Sequence, residues 1–222
     1  MVNLTRDGAV FLLDLGDGDN RFNPNSLDEI AAALDEVEVA DGPKGLVTTA
    51  TGKIWSNGLD LDWMGAHLDE VGPFLARVER LYARLLTFPA PTAAAIQGHC
   101  FAAGAIFALA HDWQVMRVDR GFWCLPEVDL GFQFPPGMSA LIQARLSAPA
   151  ALEAMTTGRR YGGADAVAAG LVTSAVAEDE VLPAATARVA QLTDKASANL
   201  GRIKQRMFAG FVDLLGTGTS IE

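Results

Sequence analysis

Cysteine is scarce in this chain. Its 222 residues hold two, Cys100 and Cys124, too few for a disulfide framework, and no Cys or His spacing matches a metal site. Both read as ordinary thiols of a reducing compartment. Basic residues are also in short supply. The 17 Lys and Arg against 27 Asp and Glu give a net charge of -10, which excludes a non-specific nucleic-acid binder, because neutralising phosphates needs cations clustered on one face. Long apolar runs are missing as well. The longest, Phe101 to Ala110, falls far short of the roughly 20 residues of a membrane-spanning helix. The start, MVNLTRDGAVFLLDLG, lacks the succession of a secretory signal, and Ser220-Ile221-Glu222 is not a peroxisomal tripeptide. The expectation is a soluble, cytoplasmic protein with no membrane span and no nucleic-acid partner.

What is present is apolar content sufficient for a substantial core, with half of the residues hydrophobic and a fifth charged. The first part reads as alternating strands and helices. Gly8 to Leu15 is a strand closed by the turn-forming run Gly16 to Asn20, and Ser26 reads as the N-cap of a helix over Leu27 to Val37. A second strand is expected at Lys44 to Ala50, followed by the turn Asn57-Gly58 and a short helix from Leu59 onward, in which Asp60 suits a cap. Pro73 opens a helix towards Phe88, with Phe74, Val78, Leu81, Leu85 and Phe88 at helical spacing.

The most informative stretch is Gln97 to Asp112, QGHCFAAGAIFALAHD. A strand over Thr92 to Ile96 ends there in small residues, and an apolar helix begins. Such a junction exposes main-chain N–H groups that have no intrahelical partner, and small side chains let a ligand come close. Tight packing of a buried helix explains the same residues equally well. Beyond the strand Trp113 to Val118, the segment Asp119 to Pro136 reads as a loop rich in aromatics, Gly and Pro. From residue 137 the character becomes helical: Met138 to Leu146, Pro149 to Thr157 after a Ser147 cap, Ala164 to Ala169, and Ser197 to Leu215. A strand at Leu171 to Val176 interrupts them. The organisation is therefore residues 1–136 as a core carrying the loops, and 137–222 as a mostly helical part.

The segments Trp55 to Leu61 (WSNGLDL), Gly98 to Gly104 (GHCFAAG) and Gly121 to Leu130 (GFWCLPEVDL), with Ala169 to Leu171, together resemble the crotonase, or enoyl-CoA hydratase/isomerase, superfamily. The resemblance implies an α/β fold: a spiral of ββα units with a helical C-terminal part, which is short here, assembled as a homotrimer or a dimer of trimers. It implies an acyl-CoA thioester as substrate, with coenzyme A part of that substrate and no separate cofactor. Carried over by position, the oxyanion donors are the main-chain N–H groups of Leu59 and Ala103. Two pre-aimed donors stabilise an enolate oxygen more than a neutral carbonyl.

Hydratases of the family use two carboxylates to hold water. This chain carries Ile106 at the first position and keeps Glu127, after Pro126, at the second. One carboxylate suits the transfer of a proton between neighbouring carbons, so the pattern is most similar to Δ3,Δ2-enoyl-CoA isomerases. Asn57, Gly58, Gly104, Ile106 and Phe132 are expected to line the substrate, with Phe122, Trp123 and Phe134 completing an apolar wall that raises the pKa of Glu127. Lys53 and Lys204 are candidates for the CoA phosphates, and His67, His99 and His111 read as structural. Competing expectations are another crotonase reaction, hydration or decarboxylation, and a non-catalytic acyl-CoA-binding protein.

Overall fold

A computed structural model describes residues 2–215. Strands β1 (Asn3–Asp7) and β2 (Val10–Asp14) form an antiparallel hairpin, and β3 (Arg21–Phe22) leads into α1 (Pro24–Val39). The helix starts earlier than Ser26. Asn23 is its N-cap, with Ser26 completing a capping box in which each side chain accepts from the other's backbone. Next come β4 (Gly45–Thr49), β5 (Ile54–Ser56), β6 (Gly58–Leu59), α2 (Leu61–Ala66) and α3 (Val71–Leu86). They are followed by β7 (Thr92–Ile96), β8 (His99–Phe101), α4 (Ala103–Ala110), β9 (Trp113–Arg117), β10 (Trp123–Cys124) and α5 (Glu127–Leu130).

The order is a repeat of strand, strand, helix. The first strands of successive units lie side by side in a six-stranded sheet, β1-β2-β4-β7-β9-β11, parallel except for β1. The second strands form a smaller parallel sheet, β10-β8-β5, and β3 pairs with β6. This is the ββα spiral that the resemblance implies. Helix α4 runs from the small sheet to the large one, and all of its residues are buried. Around it Phe107 meets the rings of Phe22, Trp55, Tyr82 and His111.

The rest of the chain comprises α6 (Pro136–Arg145), α7 (Ala148–Thr157), α8 (Gly163–Ala168), β11 (Ser174–Val176), α9 (Glu178–Ala190), α10 (Ala198–Met207) and α11 (Ala209–Leu215). The stretch Ser197 to Leu215 is thus two helices that break at Phe208. Helix α9 has no counterpart in the sequence reading, because Pro183 falls inside it and obscures its periodicity. It packs Val181, Ala185 and Val189 on the outer face of the large sheet, against Val47, Ala93, Ala95 and Val115. With both faces covered, the strand Thr92–Ile96 is buried at every position and reads as an unbroken apolar run.

Lys204 does not serve the ligand. Its Nζ lies 2.7 Å from Asp112 Oδ2 and 3.0 Å from Ala90 O, and the residue is buried. Asp112 Oδ2 also accepts from Thr92 N at 2.8 Å, so the pair ties α10 to the start of β7. The desired CoA contact is ruled out by burial, since an ammonium committed to two acceptors under 7% side-chain exposure has no face for phosphate. Lys204→Ala leaves the Asp112 carboxylate half-buried without its cation, and is expected to cost about 3 kcal/mol, read as a lower denaturant midpoint at unchanged slope.

Candidate active site

Two loops from different units meet at the start of α4. The chain reverses at Gly58 with φ +81, and a Cβ there would stand 2.9 Å from Ala103 N and 3.1 Å from Phe101 O. Only glycine allows the approach. The amides flanking Leu59 are already engaged, Gly58 N with Ser56 Oγ at 3.2 Å and Asp60 N with Phe22 O at 2.9 Å. Ala103 is the first residue of α4, so its N–H has no partner within the helix. Ala102 holds φ 52 and ψ -128, a backbone region that favours glycine. An alanine there carries a strain of about 1–3 kcal/mol. Below, the Tyr82 hydroxyl donates to Ala103 O at 2.7 Å and steadies the same residue from the core.

Leu59, Asn57, Ala102 and Ala103 line a cavity of about 590 Å³. One wall is aliphatic and comes from α2, α3 and the 3-10 turn Leu68–Glu70 between them, with Leu61, Met64, Leu68, Val71 and Leu75. The opposite wall is the segment from Glu127 to Met138, including Leu130, Phe132 and Phe134. The stretch Asp119 to Pro136 is more regular than the expected loop: β10 and α5 fall within it, and Gly131, φ +72, closes α5. The aliphatic wall was not anticipated from sequence. Its only signal was Leu61 and Leu68, large apolar residues left 45% and 78% exposed on a short helical segment.

Glu127 is the one ionisable side chain lining this cavity among the described residues. It opens α5 after Pro126, is 9% exposed, and its Oε2 has no hydrogen-bond partner. Burial pushes its carboxyl up to about 7, with its own main-chain N–H opposing weakly. A group half-ionised near neutral pH is suited both to take a proton and to return it.

Other expected site residues fall elsewhere. Gly104 does not line the cavity; a Cβ on it would meet Ser56 Oγ at 2.6 Å, so it exists to seat α4 on β5. Ile106 points into the core at 1% exposure and is not a lining residue. Phe122 packs on His99 outside the cavity and Trp123 is buried against Tyr161, so of the four expected aromatics only Phe132 and Phe134 line it, joined by Phe101. Gly58 acts through its turn and not as a lining residue. Lys53 is exposed just before β5 and away from the cavity. Asp60 caps α2, its Oδ1 accepting from Trp63 N at 3.2 Å. His111 bonds Thr48 Oγ1 at 2.8 Å and Phe107 O at 3.0 Å, and burial depresses it to about 3, which fixes it as a neutral structural group. A wider cleft of about 730 Å³ is lined by Lys44, Arg84, Ser197 and Arg202; Lys44 is engaged with two carbonyls and Arg84 with Asp35 and Glu38.

The profile of the enoyl-CoA hydratase/isomerase family matches residues 6–222. The chain belongs to this family. It is an enzyme of the enoyl-CoA isomerase and hydratase type, and family membership implies an acyl-CoA substrate. Among its relatives are peroxisomal enoyl-CoA delta isomerase 2 of Arabidopsis thaliana, 38% identical over 81% of this chain and 79% of that protein, and enoyl-CoA delta isomerase 3 of the same plant, also 38% identical, over 79% and 76%. The crystal structure of human mitochondrial delta3-delta2-enoyl-CoA isomerase superposes with a TM-score of 0.90 at 24% identity, covering 97% of this chain and 86% of that one, which speaks for the fold.

Two stability outcomes follow from this geometry. Ala102→Gly relieves the positive φ and is expected to raise stability by about 1 kcal/mol, the relief of strain being offset in part by glycine's greater unfolded-state freedom. For Glu127, folding raises the pKa from 4.5 to about 7. Its contribution is therefore fully favourable below about pH 4.5 and lost as pH rises through 7. Glu127→Gln is expected to be more stable than the parent by about 1–3 kcal/mol at pH 8, with the difference vanishing below about pH 4.5, as measured by denaturant unfolding at pH 8 and pH 4.

Proposed function

We propose that this enzyme converts a 3-enoyl-CoA into the 2-trans-enoyl-CoA, with Glu127 as its single acid and base. The thioester oxygen sits between the Leu59 and Ala103 N–H groups. Ionised Glu127 removes a proton from C2; the electron pair moves into a dienolate whose negative charge falls on the thioester oxygen. The same carboxyl, now protonated, delivers its proton to C4, and the double bond closes between C2 and C3. No water is consumed. The donors are fixed before the reaction, so they stabilise the charge as it develops without reorganising.

The observation that carries the reading is the lone carboxylate in an otherwise neutral and largely apolar cavity. Hydration needs a second group to orient or protonate, and the corresponding position in α4 is an inward-facing isoleucine, Ile106. Two relatives named as enoyl-CoA delta isomerases, each 38% identical, point the same way. The acyl chain lies along the Leu61 to Leu75 wall, and Lys53 meets a CoA phosphate at the outer end of β5. The active assembly is a homotrimer or a dimer of trimers.

With 3-enoyl-CoA as substrate, the product is expected to keep the mass of the substrate while gaining the absorbance of a conjugated thioester. The rate should rise with pH through a value near 7 as Glu127 ionises, until protonation of C4 becomes limiting. Glu127→Gln is expected to lose at least about 1,000-fold in kcat with little change in KM, the pattern of a group acting only in the transition state. A product heavier by one water, or a folded Glu127→Gln variant as fast as the parent, rejects the mechanism.

A further inference from the structure

Glu79 is a buried carboxylate that this mechanism does not use. It lies on α3 at 1% exposure, and its Oε1 has no hydrogen-bond partner. Burial pushes it up to about 7, and the Met138 main-chain N–H is the only influence drawing it back. The titratable group facing it is Tyr82 on its own helix, whose phenol feels its charge. From α6 it meets Gly137 and Met138, and beside them α11 brings Leu214 O and Leu215, so neither helix presents a cation there. An unpaired carboxylate in such a place is costly, and leucine would satisfy the apolar stripe of α3. Packing alone therefore does not account for it.

The helix it faces lacks a cap. Helices α1, α7 and α10 are capped by their own Asn23, Ser147 and Ser197, whereas α6 begins Pro135-Pro136-Gly137 with no side-chain acceptor. The first-turn N–H groups of α6 have no intrahelical partner. Gly137 lets the carboxylate come close, since a Cβ there would stand 2.7 Å from Glu79 Oε1. One turn earlier on α3, Leu75 lines the cavity, and on the facing side so do Phe134, Pro135 and Met138.

We propose that Glu79 is a positioning residue of the active site: from α3 it anchors the N-terminus of α6 and so fixes the Phe134 to Met138 wall against which the acyl chain packs. The proposal rests on the enoyl-CoA isomerase reading for its kinetic consequence, and on geometry alone for the anchor. Glu79 touches no reacting atom. Its loss should be felt through the length of chain that leans on this wall.

The test compares the parent with Glu79→Leu and Glu79→Gln, using 3-hexenoyl-CoA and 3-dodecenoyl-CoA together with hydrogen exchange at the Met138 amide. Glu79→Leu removes the acceptor without opening a cavity. It should exchange Met138 faster by about tenfold, and lose about tenfold in kcat/KM on the long substrate, mainly through KM, while staying within about threefold on the short one. Glu79→Gln keeps a carbonyl acceptor and should recover most of both losses. Equal losses on the two substrates, unchanged Met138 exchange in Glu79→Leu, or a Glu79→Gln variant no better than Glu79→Leu overturns the proposal. If the parent turns over neither thioester, the isomerase reading is what falls, and Met138 exchange alone then decides on the anchor.

Discussion

The constraint on which this structure depends is the contact between two pieces of main chain, the turn at Gly58 and the first residues of α4. Their separation is set by the absence of side-chain atoms. Gly58 has no Cβ to strike Ala103 N, and Gly104 has none to strike Ser56 Oγ. A methyl group at either place would meet these atoms inside van der Waals contact and force the two segments apart. Ala102 completes the junction at the cost of a positive φ. Strain tolerated at a site and supported from below, here by Tyr82 on Ala103 O, is typical of backbone held for chemistry.

The spiral explains how such a contact is held. Each unit sends one strand to the large sheet and the next to the small one, so the connections that follow the small sheet's strands converge on one side. The Asn57 turn follows β5, Ala102 follows β8, and Glu127 follows β10. Three successive units thus deliver one donor, a second donor and a carboxylate to the same cavity. The hydrophobic helix α4, clamped by Phe22, Trp55 and Tyr82 around Phe107, keeps the middle contribution from shifting. Proteins bury charge reluctantly, and here two carboxylates without cations meet the Phe132 to Met138 wall, Glu127 lining the same cavity as Phe132 and Phe134 and Glu79 lying against Gly137. In the roles proposed above, the first moves a proton and the second holds that wall.

The cavity also shows where specificity resides. Its lining combines a few polar groups, Asn57, Glu127, Gln133 and the main chain at Ala103, with the aliphatic wall that runs from Leu61 to Leu75. In the proposed reaction the thioester is oriented by main-chain donors and retained by apolar contact, which divides recognition from chemistry along one channel.

Much of this was legible in the sequence because it is local. Glycine at a turn, a short apolar helix after small residues, and a carboxylate after proline are patterns that need no knowledge of packing; the roles expected of Leu59, Ala103 and Glu127 came from the family resemblance, and the structure lines one cavity with all three. Residues whose role depends on which way a side chain faces were read less well. Ile106, Gly104, Phe122 and Trp123 stand beside the right residues in sequence and face away from the cavity in space, because helix and strand turn neighbours to opposite sides. Lys204 looked like an exposed cation on a helix and is instead closed over by Asp112 and β7, a contact between residues distant in the chain. The sequence by itself determined the strand and helix alternation and the chemical groups of the junction, since these follow from backbone preference. Tertiary structure decided which carboxylate is dry, which lysine is paired and which apolar faces line the cavity, since burial is a property of the whole fold and of no segment within it.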